Sequence, residues 1–352
     1  MTSAAAAAEP MRTRSPITER AVAFVAERRP EAEAIGTALA EHIGDPDAFA
    51  RALTAGLERL ADPEYLEGSQ RIAPGLGPIY GVRWPLMAAI ARGFRHATRR
   101  DRPTPLLFVA DRLFDEARLE PRWFAFGLLE RTLDGETERT WQLLRRAARE
   151  SGDWITVDSL AHPYGRGVLA EDYRWAELEQ LVYSPSRWER RLVGSTIATI
   201  PFVDRRRGRE PAVARHAVAI LGQLIGDAEP DVQKALSWAY RSMAALDQAA
   251  TTAALREETD RAASTHDGHR AWVIRDTLAK LDPADAADLR ARLDGIRRRS
   301  TDPSTSRAAA TVARYAGEAG LPGPAAHRER FSDVAEVVGH VALLLQVVRF
   351  VR

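Results

Sequence analysis

Asp158 lies in the run Trp154-Ile155-Thr156-Val157-Asp158-Ser159-Leu160-Ala161, just after Ser151-Gly152-Asp153. On a helix of 3.6 residues per turn, Trp154, Val157, Asp158 and Ala161 share one face. That face is apolar apart from the carboxylate. A charge among core-type side chains is costly unless another group pairs with it or chemistry uses it. The chemistry open to a lone carboxylate beside an indole is electrostatic. It can stabilise a developing cation, and it can orient or deprotonate a water. The structural alternative is a salt bridge from Asp158 to Arg191 or to a neighbouring helix end.

Three further runs carry residues able to work beside such a carboxylate. Tyr183-Ser184-Pro185-Ser186 leads into Trp188-Glu189-Arg190-Arg191, and Gln233-Lys234-Ala235-Leu236-Ser237-Trp238-Ala239-Tyr240-Arg241 follows later. Upstream stand Tyr65-Leu66 and Tyr80-Gly81-Val82-Arg83-Trp84-Pro85. Each has a plainer reading. Trp154 and Trp238 could pack between helices, Arg191 could be structural, and Arg241 could be a solvated helix residue. Trp123, Trp188 and Trp272 are assigned to packing. The run Arg205–Arg209 is an exposed loop unless it faces a phosphate. The chain has no cysteine, which excludes disulfides, thiolate metal sites and a cysteine nucleophile. Its histidines show no HExxH or paired-ligand spacing, so no metal site and no cofactor is expected.

The elements that must position these residues are helical. No stretch alternates with period two for long enough to argue a sheet. Asp153, after Ser-Gly, is placed to cap the helix that carries Asp158. Periodic apolar residues fill 17–60, with breaks expected at Pro30 and at Gly44-Asp45-Pro46. Residues 62–85 are rich in Gly and Pro and read as irregular. Five strongly apolar helices then begin near Arg122, Asp153, Arg187, Asp231 and Arg270, most preceded by another amphipathic helix. Their spacing of about 31 to 44 residues is that of HEAT-like helix pairs stacked as a solenoid. A compact bundle is the alternative architecture. In a solenoid the second helices line one side, and their N-termini offer free N–H groups suited to phosphates. The fold expected is thus all-α, a HEAT-like repeat α-solenoid with a concave groove. Residues 1–16 read as a disordered tail, 17–293 as the repeat domain, 294–306 as a linker and 307–352 as a C-terminal helical extension ending in an apolar helix over 331–352.

Composition sets wider bounds. The 352 residues are 45% apolar and 28% charged, an ordinary globular balance, and the net charge of +1 does not by itself call for nucleic acid. Lys234 and Lys280 are the only lysines among 50 basic residues. Arginine suits bidentate phosphate contacts, although GC-rich codon usage explains the bias more simply. No apolar run approaches the roughly 18 residues of a membrane span, and no signal peptide is evident. The location expected is cytoplasmic.

The four runs, in this order and with this repeat spacing, resemble the AlkD-type DNA alkylation-repair glycosylases, which are HEAT-like repeat proteins. The resemblance covers approximately residues 50–285. It implies hydrolysis of the N-glycosidic bond of purines alkylated at N3 or N7, with double-stranded DNA as partner, a monomeric state and no cofactor. It implies Asp158 as the catalytic carboxylate, Trp154 as its tryptophan and Trp238 as the second groove tryptophan. Arg191 and Arg241 would be the DNA-contacting arginines, with Arg190 and Lys234 beside them and Tyr65 as the N-terminal tyrosine near the lesion. A groove of indoles and arginines, in place of a deep pocket, would hold the lesion in the duplex and tolerate bulky adducts. The tail, the Arg205–Arg209 insertion and everything past about 295 fall outside the resemblance. Two other functions remain open on the residues alone: a non-catalytic protein recognising damaged or branched DNA, and a HEAT-type protein-interaction scaffold.

Overall fold

The computed structural model describes residues 15–318. These form sixteen α-helices, joined by turns and short 3-10 segments, with no strand among them. In chain order they are α1 (Pro16–Ala38), α2 (Pro46–Arg59), α3 (Pro63–Ile72), α4 (Trp84–Ala97), α5 (Pro105–Phe114), α6 (Leu119–Thr132), α7 (Thr137–Glu150) and α8 (Trp154–Ala170). Then follow α9 (Arg174–Gln180), α10 (Arg187–Val203), α11 (Pro211–Leu224), α12 (Pro230–Leu246), α13 (Gln248–Thr265), α14 (Gly268–Thr277), α15 (Pro283–Arg292) and α16 (Arg307–Glu318). Many begin where a short polar side chain precedes a proline. Ser15, Asp45, Asp62 and Asp282 each accept a hydrogen bond from a first-turn N–H, and the proline that follows has no N–H to satisfy.

Helices α6, α8, α10, α12 and α14 pack in succession, forming one row. Behind them, α5, α7, α11 and α13 each pack on the helix that follows, and the 3-10 turn Leu181–Tyr183 takes that place behind α10. The repeat expected from spacing is written into the side-chain bonds as well. Trp123 bonds Thr156 at a separation of 33 residues, Arg190 bonds Asp227 at 37, Gln233 meets His269 at 36 and Arg241 bonds Asp276 at 35. A single continuous core runs through the stack, from Phe49, Phe94 and Phe124 to Trp141, Tyr164 and Tyr240. The tightest contact in the row is made at Gly194 of α10. A Cβ there would stand 2.8 Å from the Ala235 carbonyl carbon of α12, so the two helices approach closer than any side chain would allow.

Three local expectations differ from what is found. Helix α1 runs through Pro30 without a break. Its later half buries Ala32, Ile35 and Gly36, and packing on α4 outweighs the proline's missing bond. The Gly- and Pro-rich stretch over 62–85 is only partly irregular, because Asp62 caps α3 within it. Residues 73–83 are irregular but pinned: the buried Glu120 carboxylate accepts the N–H groups of Tyr80 at 2.9 Å, Gly81 at 2.8 Å and Val82 at 3.3 Å. The stretch expected as a linker is a strap held along its length. Thr305 N donates to Gly226 O at 2.9 Å, Arg298 Nη1 to Gln233 Oε1 at 2.5 Å, and His269 Nε2 meets Asp302 O at 3.0 Å. Of the C-terminal extension, α16 lies against α11, while the apolar segment 331–352 is outside the described residues, as are residues 1–14 of the tail.

Candidate active site and nucleic-acid interface

Asp153 closes the N-terminus of α8, accepting from Thr156 N at 2.8 Å and Thr156 Oγ1 at 2.7 Å. Thr156 Oγ1 in turn accepts the Trp123 indole N–H at 2.9 Å, tying α8 to α6. Burial raises the Asp153 carboxyl above its usual range, and the Asp158 charge adds to this. With its end fixed this way, α8 presents Asp158 one turn in, facing α10.

There the carboxylate is met by Arg191 in a bidentate pair, Nη2 to Oδ2 at 2.8 Å and Nε to Oδ1 at 3.1 Å. One turn further along α10, Ser195 Oγ donates to Oδ1 at 2.6 Å. The third edge of the guanidinium, Nη1, donates to Asp231 O of α12 at 2.6 Å. One arginine therefore joins three consecutive second helices. A carboxylate has about four acceptor sites, of which three are filled here. The open one is on Oδ2. The Asp158 side chain keeps 14% of its surface exposed and that of Arg191 keeps 6%, so the pair is nearly buried, with the larger exposed share on Asp158. Trp154 completes the group, with the Arg191 guanidinium carbon 6.0 Å from its ring centre. His162, one turn beyond Asp158 on α8, is pushed below the ordinary histidine value by burial, Glu130 opposing, which leaves it neutral near pH 7.

Lys234 and Trp238 stand on successive turns of α12, both half-buried. Burial pulls the Lys234 ammonium below its usual pKa, and Arg191 and Arg298 act the same way while Asp231 opposes them. Asp231, whose carbonyl Arg191 bonds, precedes Lys234 by one turn of α12, and Trp238 follows one turn on. On the other flank, Trp84 and Trp123 stack with ring centres 5.6 Å apart. Tyr65 of α3 lies under the Arg83 guanidinium at 5.2 Å, and burial raises its hydroxyl pKa.

The sequence-expected residues thus divide. Asp158, Trp154 and Arg191 come together, and Lys234 and Trp238 lie along α12, the helix that Arg191 bonds through Asp231 O. The plainer reading of Arg191 as a salt-bridge partner describes its contacts, since its polar atoms bond Asp158 and Asp231 and leave it little surface for DNA. Arg190 and Arg241 also have internal partners. Arg190 bonds Asp227 at 2.7 Å and the carbonyls of Ser184 and Pro185, and Arg241 pairs with Asp276. Tyr65 sits in the N-terminal flank with Arg83. Trp123 is buried, whereas Trp188 and Trp272 are half-buried beneath Arg187 and Arg298. The Arg205–Arg209 loop follows the far end of α10, where Arg209 donates to Pro201 O and Arg207 to Leu169 O. Ser195 and His162 were not singled out in the sequence. Ser195 follows Arg191 by one turn and His162 follows Asp158 by one turn, a cue that gains meaning only once α8 and α10 are known to face each other.

Among the described residues no group of three histidine, aspartate or glutamate side chains could hold a metal ion, and no helix is long and apolar enough to cross a membrane. The profile of a family described as DNA alkylation repair enzyme matches residues 53–281, the span from α2 to just past α14. No curated protein matches the chain.

Proposed function

This chain belongs to the DNA alkylation repair enzyme family, and from that premise we propose that it is a DNA glycosylase for purines carrying a cationic N3 or N7 alkyl group in duplex DNA. The observation that carries the proposal is the Asp158 carboxylate, clamped by Arg191 and Ser195, with one acceptor position on Oδ2 left open. A purine alkylated at a ring nitrogen already bears positive charge. Its bond to C1′ breaks with the electron pair going to the base, which leaves neutral. Positive charge then appears on the deoxyribose, as in other glycoside hydrolyses. Asp158 stabilises that charge and accepts a proton from the water whose oxygen joins C1′. The products are the free base and an abasic site. The half-buried indole faces of Trp154 and Trp238 suit a cationic sugar held between them. Arg191 acts as a positioning residue, fixing the carboxylate's direction. Lys234 supplies a phosphate contact. No metal or cofactor takes part, and the protein works as a cytoplasmic monomer.

The test is the release of free base, with formation of an abasic site, from a duplex carrying 7-methylguanine or 3-methyladenine. Salt-dependent duplex binding without either product would assign the Asp158–Arg191 pair a purely structural role and make the protein a reader of DNA shape.

A further inference from the structure

Many arginines in the helical body pair with carboxylates, and Arg146 gathers Asp111, Asp115 and Glu150 within 2.8 Å. The strap over 294–306 carries three consecutive arginines that do not. Among the described residues, Arg297, Arg298 and Arg299 have no carboxylate within salt-bridge distance, and Arg297 and Arg299 are exposed. Arg298 lies over the Trp272 ring at 5.0 Å and donates to Gln233 in the first turn of α12, next to Lys234. Arg275 ties down the start of the strap through the carbonyls of Leu293 and Ile296, both at 2.5 Å, again without a carboxylate.

These cations crowd one another. After burial, Arg297 is what most lowers the Arg275 pKa, and the charge of Arg298 likewise lowers that of Lys234. The placement is built into the fold. A Cβ on Gly268 would stand 2.3 Å from Arg297 O and 2.7 Å from Arg298 Cα, so the strap fits against α14 only because that residue is glycine. The strap begins after residue 281, beyond the family match.

We propose that this strap is a second DNA contact, in which Arg297, Arg298 and Arg299 hold backbone phosphates of the duplex on the α12–α14 side of the lesion. The inference rests on the glycosylase reading for its partner, since phosphodiesters are the anions a repair enzyme meets. Unpaired guanidinium groups in a row suit them. Arg298 stands beside α12, two helices along the row from α8. Arg191 spans from Asp158 to Asp231 O in the first turn of α12, the turn whose Gln233 accepts from Arg298.

The experiment is equilibrium binding of a short unmodified duplex between about 50 and 200 mM salt, on the full chain. For each phosphate contact removed, the slope of log K against log salt flattens by about 0.9. Arg298→Ala and the exposed double variant Arg297→Ala/Arg299→Ala are expected to flatten it. Gly268→Ala, which displaces the strap but removes no charge, should do the same. Arg215→Ala, an exposed arginine on α11, should not. Neutral methylphosphonates moved stepwise away from a lesion should reach a position that weakens wild-type binding but leaves the strap variants unaffected. If the wild type releases alkylpurines and binds duplex, but strap variants keep its slope and affinity, the strap proposal is overturned and the glycosylase reading stands. If the slope depends on the strap but no base is ever released, the reverse holds. A wild type that does not bind duplex overturns both.

Discussion

Replacing Arg191 by alanine isolates what the clamp does for Asp158. The guanidinium makes two charge-assisted bonds to the carboxylate and one to Asp231 O, with only 6% of its side chain exposed. Removing one partner of a nearly buried ion pair costs about 3–5 kcal/mol, because the other charge is left uncompensated. At about 2.1 cal/mol/K for each of about 300 ordered residues, the unfolding midpoint should fall by about 5–8 °C. Asp158→Asn should cost less, about 1–3 kcal/mol, since the amide oxygen still accepts from Arg191 and no anion is stranded. In the Asp158→Asn background, Arg191→Ala should then be milder by about 2–3 kcal/mol, a coupling typical of residues in direct contact. Thermal or urea unfolding of the four proteins closes this cycle. Costs that add to within about 0.5 kcal/mol would show that the carboxylate does not depend on the guanidinium. The role of Arg191 as the positioning residue would then be lost.

Ser195→Ala removes the 2.6 Å bond to Asp158 Oδ1 and should cost about 1.5–3 kcal/mol in stability, with base release slowed roughly tenfold as the carboxylate loses one fixed direction. Gly194→Ala retains every charge but drives a Cβ to 2.8 Å from the Ala235 backbone; overpacking of about 1–3 kcal/mol should push α10 from α12 and slow base release. Lys234 tests the electrostatics by pH. Its folded pKa is lowered by burial and by neighbouring cations, so between that value and the ordinary lysine value the unfolded chain holds more protons. Stability should therefore rise with pH through that window, while duplex affinity falls as the charge is lost. Lys234→Arg stays charged and should abolish the affinity loss, as read by binding across the alkaline range.

Much of this was legible in the chain because repeats advertise themselves. The starts near Arg122, Asp153, Arg187, Asp231 and Arg270 lie at or within a few residues of the starts of α6, α8, α10, α12 and α14. The capping role of Asp153 was equally local and equally readable. What spacing does not reveal is the rotation of one helix about its axis relative to the next. Arg190 and Arg191 are adjacent in sequence, yet one turns to Asp227 and the other to Asp158, a difference decided by which face of α10 meets α8. Composition also misled at the strap. Arg297-Arg298-Arg299-Ser300-Thr301-Asp302-Pro303 has the polarity of a linker, but its carbonyls and the Thr305 amide bond residues of α14 and the α11–α12 turn, partners that no local pattern records. Pro30 failed as a breaker for a similar reason, since packing of α1 on α4 outweighs a local preference.

Single-turnover release of base from a duplex containing 7-methylguanine or 3-methyladenine, wild type against Asp158→Asn, tests the assignment of Asp158 most directly. Two unit charges about 4 Å apart interact by about 4 kcal/mol at the effective dielectric of a partly exposed site. The Arg191 charge is present in both proteins and cancels in the comparison, so removing the carboxylate should slow release about a thousandfold. Duplex affinity should be retained or increase, because one anion that would face the phosphates is removed. Catalysis by Asp158 predicts that combination; release by Asp158→Asn at the wild-type rate would contradict it.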